Sequence, residues 1–264
     1  MLLIVCIKPV PDPKEWGRLR MHPETKTLIR EGIPTVMNPL DRHALEAALT
    51  LKEDAGGEIR VVTMAPPFGR AVLREALAMG ADSGVLISDP IYAGSDTLAT
   101  SRILCAAIRR MGPFDLVLCG NSSLDGSTAQ VPSQLAEMLG IPNVMHVCRL
   151  VLEGPGGIRL SRRVEMGVVE MEAEPPLLLS FTKEVNKPRY TTFLGILEAE
   201  SKGIEIWGNE ELQLDPGSVG LRGSPTKMAD LLLRSKTRQG ERVVGDPEEV
   251  ARRVADRLSQ LGII

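Results

Sequence analysis

The residues with the clearest chemical content lie in one loop, Asn121, Ser122, Ser123, Leu124, Asp125, Gly126 and Ser127, and in the positions just after it, Thr128, Ala129, Gln130 and Val131. Hydroxyl and backbone N–H donors of this kind can hold a phosphate or pyrophosphate, and a glycine lets the ligand approach the main chain closely. Gly126, Ser127 and Thr128 suit that task. The stretch has no Walker lysine and no G-x-G-x-x-G, which argues against a P-loop kinase and a plain Rossmann dehydrogenase. Spacing alone leaves open the plainer reading of an ordinary strand-to-helix connection.

The elements on either side give the loop its direction. Asp115 to Gly120 is an apolar run closed by glycine, the pattern of a buried parallel strand ending at a tight turn. After the loop, Val131, Leu135 and Met138 recur at helical spacing, with Thr128 placed to cap the helix and Pro132 tolerated in its first turn. Strand, small-residue loop and helix together aim N–H groups and the positive helix end at the carboxyl edge of a sheet. A phosphate is expected there without any basic side chain.

Other reactive side chains form no visible set. Asp12, Asp41, Asp125 and Glu165 are not tied by motif spacing, and surface or loop carboxylates are the default. His22, His43 and His146 are equally scattered. The four cysteines, Cys6, Cys105, Cys119 and Cys148, have no C-x-x-C and no histidine at ligand spacing, so they read as reduced core thiols of a cytosolic protein. No catalytic residue and no metal site is expected.

Along the chain, strands and helices alternate. Leu2 to Lys8 is a strand ended by a proline-bearing loop. Arg18 to Met21 and Thr27 to Arg30 are candidates for a short hairpin. Asn38 or Asp41 can cap a helix whose inner face carries Leu45, Ala48 and Leu49. Glu58 to Ala65, Gly84 to Ser88 and the Asp115 run are further strands, separated by helices over Gly69 to Met79 and Thr97 to Met111. Four such alternations predict an α/β fold with a mostly parallel, doubly wound sheet. After Pro142 the pattern changes. Asn143 to Leu152, Ile158 to Val164 and Val168 to Glu172 read as antiparallel strands around the Gly154 to Gly157 turn, and Leu177 to Phe181 as another buried strand. A loop and helix over Asn186 to Ser201 and a last strand at Ile204 to Trp207 follow.

The expected division is 1–207 as the α/β domain and 208–264 as a C-terminal arm. The arm ends in a helix from Pro247 to Leu261, with Asp246 as N-cap. Its spaced apolar residues, Val219, Leu221, Met228 and Leu231 to Leu233, predict packing on a partner.

Composition narrows the function. A net charge of −3 with mixed signs and an aromatic content of 3% give no basic, base-stacking face for nucleic acid. No apolar run approaches the roughly 20 residues that span a bilayer. MLLIVCIKPV is too short and too soon broken by proline to read as a signal peptide, so a cytoplasmic location is expected.

Five segments, VCIKPVPD, MNPLDRHALEAAL, REALAMGAD, DLVLCGNSSLDGSTAQV and NKPRYTTFLGILEA, stand in an order and spacing that resembles the beta (small) subunit of electron-transfer flavoprotein over essentially the whole chain. The resemblance implies a Rossmann-like, adenine-nucleotide-hydrolase-like sheet and a heterodimer with an alpha subunit that holds FAD. It implies a second adenine nucleotide in this subunit, at Cys6, at Asn38, Pro39, Leu40 and Asp41, at Met64, and along Gly120 to Val131. In the respiratory branch that nucleotide is AMP. In the electron-bifurcating branch it is a second FAD, which accepts hydride from NADH and serves an acyl-CoA dehydrogenase-like partner and a low-potential acceptor such as ferredoxin.

DGSTAQV at Asp125 to Val131 is most similar to the bifurcating form, with Ser127 departing from the usual aspartate. Small residues at Gly126 and Ala129 leave room for a pyrophosphate. Pro188, Arg189, Tyr190, Phe193, Ile196 and Leu197 correspond to the family's docking segment for dehydrogenases, against the plainer reading of a buried helix face. A different class, the stress-protein-like nucleotide-binding regulator, shares the sheet topology but has no use for the arm.

Overall fold

The computed structural model describes residues 1–22, 28–29, 32–153, 157–227 and 240–264. The first part of the chain carries β1 (Leu2–Cys6), β2 (Pro9–Pro11), β3 (Arg20–Met21), β4 (Leu28–Ile29), β5 (Thr35–Met37) and α1 (Pro39–Ala55). Then come β6 (Glu58–Met64), α2 (Arg70–Met79), β7 (Ser83–Ile87), α3 (Thr97–Met111), β8 (Leu116–Gly120) and α4 (Val131–Leu139). β9 (Asn143–Glu153), β10 (Gly157–Val164), β11 (Gly167–Ala173), β12 (Leu177–Phe181), α5 (Phe193–Ser201), β13 (Ile204–Trp207), α6 (Asn209–Leu212) and α7 (Pro247–Gln260) follow.

Among the described residues, nine strands form one sheet in the order β11-β10-β9-β12-β8-β1-β6-β7-β13. It is parallel from β9 through β13, and β10 and β11 extend it antiparallel at one end. β9 belongs to both regimes, running parallel to β12 on one side and antiparallel to β10 on the other. The sequence shows only the second relation, because alternation marks a strand without naming its neighbours. The expected early hairpin is the pair β3 and β4, with Arg20 opposite Ile29. Its turn at 23–27 and Arg30 lie outside the described residues, as do 154–156 of the Gly154 to Gly157 turn. A second small pair, β2 with β5, has no counterpart in the sequence reading.

The central strands are buried on both faces, and period-two alternation sends neighbouring residues to opposite cores. Leu3 and Val5 of β1, Leu116 and Leu118 of β8, and Leu177, Leu179 and Phe181 of β12 share one core with α1 and α2, with α1 lying on these strands. Ile4, Val117, Cys119 and Leu178 face α3 and α4. At roughly 1.5–3 kcal/mol for each such buried side chain, these layers dominate stability and leave the strand ends to carry polar loops. The chain passes from β1 outward through β6 and β7, then returns past β1 to β8. The crevice between the carboxyl ends of β1 and β8 is therefore the topological switch point, where ligands of such sheets bind.

Two units are distinguished along the chain, Met1–Ala229 and Asp230–Ile264. Within the first, residues 209–224 pack on their own chain: Leu212, Val219 and Ser224 are buried, and Ser224 Oγ accepts the Asp96 N–H at 2.8 Å. In the second, Asp246 caps α7 by accepting the Glu248 N–H at 2.9 Å, and no residue of α7 is buried. Met228 and Leu231 to Leu233 lie outside the described residues. No helix among the described residues is long and apolar enough to cross a membrane.

Candidate functional site

Two side chains at the start of α1 organise the switch point. Asn38 occupies the N-cap position of α1 without capping it. Its Nδ2 donates to Asp41 Oδ1 and to the Ser122 carbonyl, each at 2.9 Å, and its Oδ1 accepts the Leu124 N–H at 3.0 Å. Asp41 Oδ2 accepts the Lys8 N–H at 2.8 Å and Oδ1 the Gly120 N–H at 3.1 Å. The Lys8 carbonyl in turn accepts the Asn38 N–H at 2.9 Å. Three segments far apart in sequence, after β1, before α1 and after β8, are thus tied by one amide and one carboxylate. Both are buried, Asn38 at 1% exposure and Asp41 at 6%.

Asp41 is therefore no surface carboxylate, contrary to the default for its residue type. Burial pushes its pKa up to about 7, against the hydrogen bonds from Asn38, Lys8 and Gly120 and the charge of Lys8, which favour the ionised form. Gly120 must stay glycine for a steric reason. A Cβ there would lie 2.8 Å from the Asp41 nitrogen and the Leu40 carbonyl carbon, both backbone atoms.

The loop after β8 has an unusual backbone. Ser127 and Ala129 sit at φ 51° and 53°, left-handed values that cost non-glycine residues of order 1–3 kcal/mol each. The Ser127 N–H donates to the Ser123 carbonyl at 2.8 Å, and the Gly126 N–H to Ser123 Oγ at 3.3 Å, which closes the loop on itself. Gln130 returns to right-handed values ahead of α4. A left-handed residue followed by a right-handed one turns successive N–H groups to one side, an anion-binding nest. Among the described residues, the N–H groups of Thr128, Ala129, Gln130 and Val131 meet no acceptor. The left-handed turn also moves the helix start. α4 begins at Val131 with Gln130 as N-cap, and Thr128 does not cap it.

A basic side chain does reach this loop, which the sequence reading did not expect. Lys8 Nζ lies 2.6 Å from Asp125 Oδ1 and 3.2 Å from Ser123 Oγ. The signal available in the sequence was position alone, since a lysine just past a first parallel strand stands at the carboxyl edge.

The remaining expected residues arrive at the same edge. Cys6 ends β1 in register with Cys119 of β8, whose thiol is pushed up by a hydrogen bond with Cys6 and by burial. Met64 ends β6, and Pro39 and Leu40 open α1. Backbone donors, one ammonium and small residues at one open edge match the chemistry of a nucleotide phosphate. Among the described residues no group of three or more His, Cys, Asp or Glu side chains is arranged to hold a metal ion.

The segment ahead of α5 is built differently. Asn186 Nδ2 donates to the His43 carbonyl at 2.9 Å, and its Oδ1 lies 2.9 Å from His43 Nδ1. Arg189 turns inward onto α1, meeting Glu46 through Nε and a terminal nitrogen at 2.9–3.1 Å and Glu53 at 2.6 Å. The two glutamates hold its guanidinium pKa above the ordinary arginine value, and Arg189 lowers that of Glu53. Pro188 is half-buried beside it. Thr192 caps α5 by accepting the Gly195 N–H at 3.0 Å, and Gly195 sits against the Ala78 carbonyl, where a Cβ would clash. The apolar residues point outward: Tyr190 is 84% exposed and Phe193 75%, and Leu194, Ile196 and Leu197 are at least half as open as these.

Comparison with known proteins identifies the family. The family described as "Electron transfer flavoprotein domain" matches residues 25–212. The chain is 41% identical to the electron transfer flavoprotein subunit beta of Thermoanaerobacterium thermosaccharolyticum over 100% of both chains. It is 39% identical to the subunit of the same name from Clostridium acetobutylicum over 98% of both, and 42% identical to the caffeyl-CoA reductase-Etf complex subunit CarD of Acetobacterium woodii over 100% of both. With a family match over residues 25–212 and full-length likeness to such subunits, this chain belongs to the electron transfer flavoprotein family, as a beta subunit.

Proposed function

We propose that the chain pairs with an alpha subunit and holds an FAD at the β1/β8 crevice, in a cytoplasmic carrier of the electron-bifurcating kind. The observation that carries this reading is the nest at Ala129 and Gln130, opening onto the switch point beside Lys8. A pyrophosphate needs several converging donors and little side-chain bulk. Thr128 to Val131 supply the N–H groups, and Gly126 and Ala129 keep the approach clear. Cys6, Met64 and the Asn38 to Asp41 turn line the rest of the edge, the last fixing the loop's position through Asn38.

Bound FAD would supply hydride acceptance from NADH and passage of single electrons to the alpha-subunit FAD. The chain's own residues bind and orient the cofactor and need no catalytic side chain. Tyr190, Phe193, Ile196 and Leu197 form the face for an acyl-CoA dehydrogenase-like flavoenzyme, with Arg189 and Pro188 setting the segment on α1. The name of the Acetobacterium relative places that protein in a complex with caffeyl-CoA reductase, which supports a CoA-thioester reductase as partner. A low-potential acceptor such as ferredoxin takes the other electron. The 1–207 region is the nucleotide-binding part; of the arm 208–264, residues 209–224 pack on their own chain, and the apolar stripe Val250, Val254 and Leu258 of α7 is what fits its end to pack on the alpha subunit.

The test is nucleotide content. The chain is co-expressed with its alpha subunit, the complex is denatured, and FAD and AMP are counted per heterodimer. Two FAD and no AMP are expected. One FAD with one AMP would leave a single-flavin carrier and sink the bifurcating reading.

A further inference from the structure

Lys8 stands apart from the rest of the carboxyl edge. Its N–H donates to Asp41 and its carbonyl accepts from Asn38, so its side chain starts from a fixed point and crosses from the end of β1 to the loop after β8. The Asp125 side chain it meets is only 5% exposed, whereas the Lys8 side chain is 42% exposed. The carboxylate lies under the loop and the ammonium faces out. A Cβ on Gly126 would come within 3.9 Å of Nζ, so the ammonium stands over the stretch where the loop carries no side chain.

Holding the loop closed does not require this arrangement. Hydrogen bonds of Ser127 and Gly126 to Ser123, and of Leu124 to Asn38, already do so. With the ammonium 42% exposed, solvent screens the pair and reduces what it adds to stability. An ammonium has three N–H donors, and two acceptors are named here, Asp125 and Ser123. Backbone amides offer a phosphate only partial charge, and a full positive charge beside them is the missing complement.

We propose that Lys8 is a further phosphate-binding residue of the site, its ammonium binding the nucleotide phosphate lodged on the loop, with Asp125 the positioning residue that aims it. The inference rests on the adenine-nucleotide reading above and holds for FAD and AMP alike. It makes an asymmetric prediction for the two halves of one ion pair. Without Lys8, the loop loses the ammonium and keeps the Asp125 carboxylate. With Asp125 replaced by asparagine, an oxygen still accepts from Nζ and the ammonium gives its whole charge to the ligand.

The experiment uses the full heterodimer, stripped of the beta-site nucleotide and titrated with FAD and with AMP at low and high salt. Lys8→Met should weaken binding of whichever nucleotide the wild type carries by about ten- to a hundredfold and flatten its salt dependence. Lys8→Arg should bind within about fivefold of wild type, while Asp125→Asn binds equally or more tightly. If Lys8→Met does not assemble, Lys8→Gln gives the same reading with less change in shape. Equal losses in Lys8→Met and Asp125→Asn would overturn the proposal, since the pair would then only brace the loop. So would wild-type affinity in Lys8→Met. A wild-type complex holding neither nucleotide would instead overturn the nucleotide reading itself.

Discussion

The first turn of α1 and its outer face are treated in opposite ways. At the first turn, Asn38 and Asp41 are polar, buried and fully engaged, and they hold three strand-end segments in register. Along the outer face, Glu46 and Glu53 clamp Arg189 so that Tyr190 and Phe193 stand exposed. The first arrangement fixes the loop that leads to the N–H groups of Thr128 to Val131, which meet no acceptor among the described residues. The second offers apolar side chains to another protein surface, the layout of a binding anchor. Both places are held by polar ties, buried at Asn38 and Asp41 and partly exposed at Arg189 and Glu53.

If that contrast is right, changes at the crevice register first as lost stability and changes at the docking segment as lost association. The largest effect should come through Asp41. With its pKa at about 7 against 3.8 for an ordinary aspartate, the native state between these values keeps a proton that the unfolded chain has lost. The contribution is present in full below about pH 4 and disappears as pH rises through 7. Urea midpoints of wild type and Asp41→Asn should diverge across that window, with wild type losing roughly 4 kcal/mol relative to a flatter variant. Parallel profiles would break the assignment of Asp41 as a buried tie.

Gly120→Ala should cost about 3 kcal/mol, because its methyl group meets backbone on the α1 side and neither element can yield. Thermal unfolding measures this, and a near-neutral result would show the crevice to be soft. Arg189→Ala leaves Glu46, mostly buried, without its cation and should cost about 2 kcal/mol. Hydrogen exchange should rise in 186–201 and stay unchanged in 120–131. Matching increases in both would mean that the two regions are not separate. Phe193→Ala should shift stability by less than ~0.5 kcal/mol while weakening partner association about tenfold or more, read by titration with the partner flavoenzyme.

Much of this was legible from the chain. Short apolar runs marked the parallel strands, because burial on both faces removes polar alternation. The loop at Asn121 to Ser127 was legible because its small residues have few other uses. What escaped was tertiary. Lys8 meets Asp125 across 117 positions, and Asn38 meets Leu124 across 86, distances over which no spacing rule operates. Thr128 looked like a cap because the rule assumes an ordinary approach to the helix. Ser127 and Ala129 adopt left-handed turns that their residue types do not announce. Arg189 resembled a surface charge in a docking segment, and only the fold shows that it points inward.

The spacing along α1 has a further consequence for how such chains can diverge. His43, Glu46 and Glu53 lie three and seven residues apart and so share one stripe of the helix, while Asp41 marks the turn from which that stripe is counted. Each residue of an α-helix turns the chain by about 100°. An insertion of one residue between Asp41 and Glu46 would swing the Arg189 clamp a quarter turn or more away from the crevice it now accompanies. Exposed side chains such as Tyr190 and Phe193 can change without altering this angle, whereas the spacing from Asp41 to Glu46 sets the phase between the crevice and the Arg189 clamp.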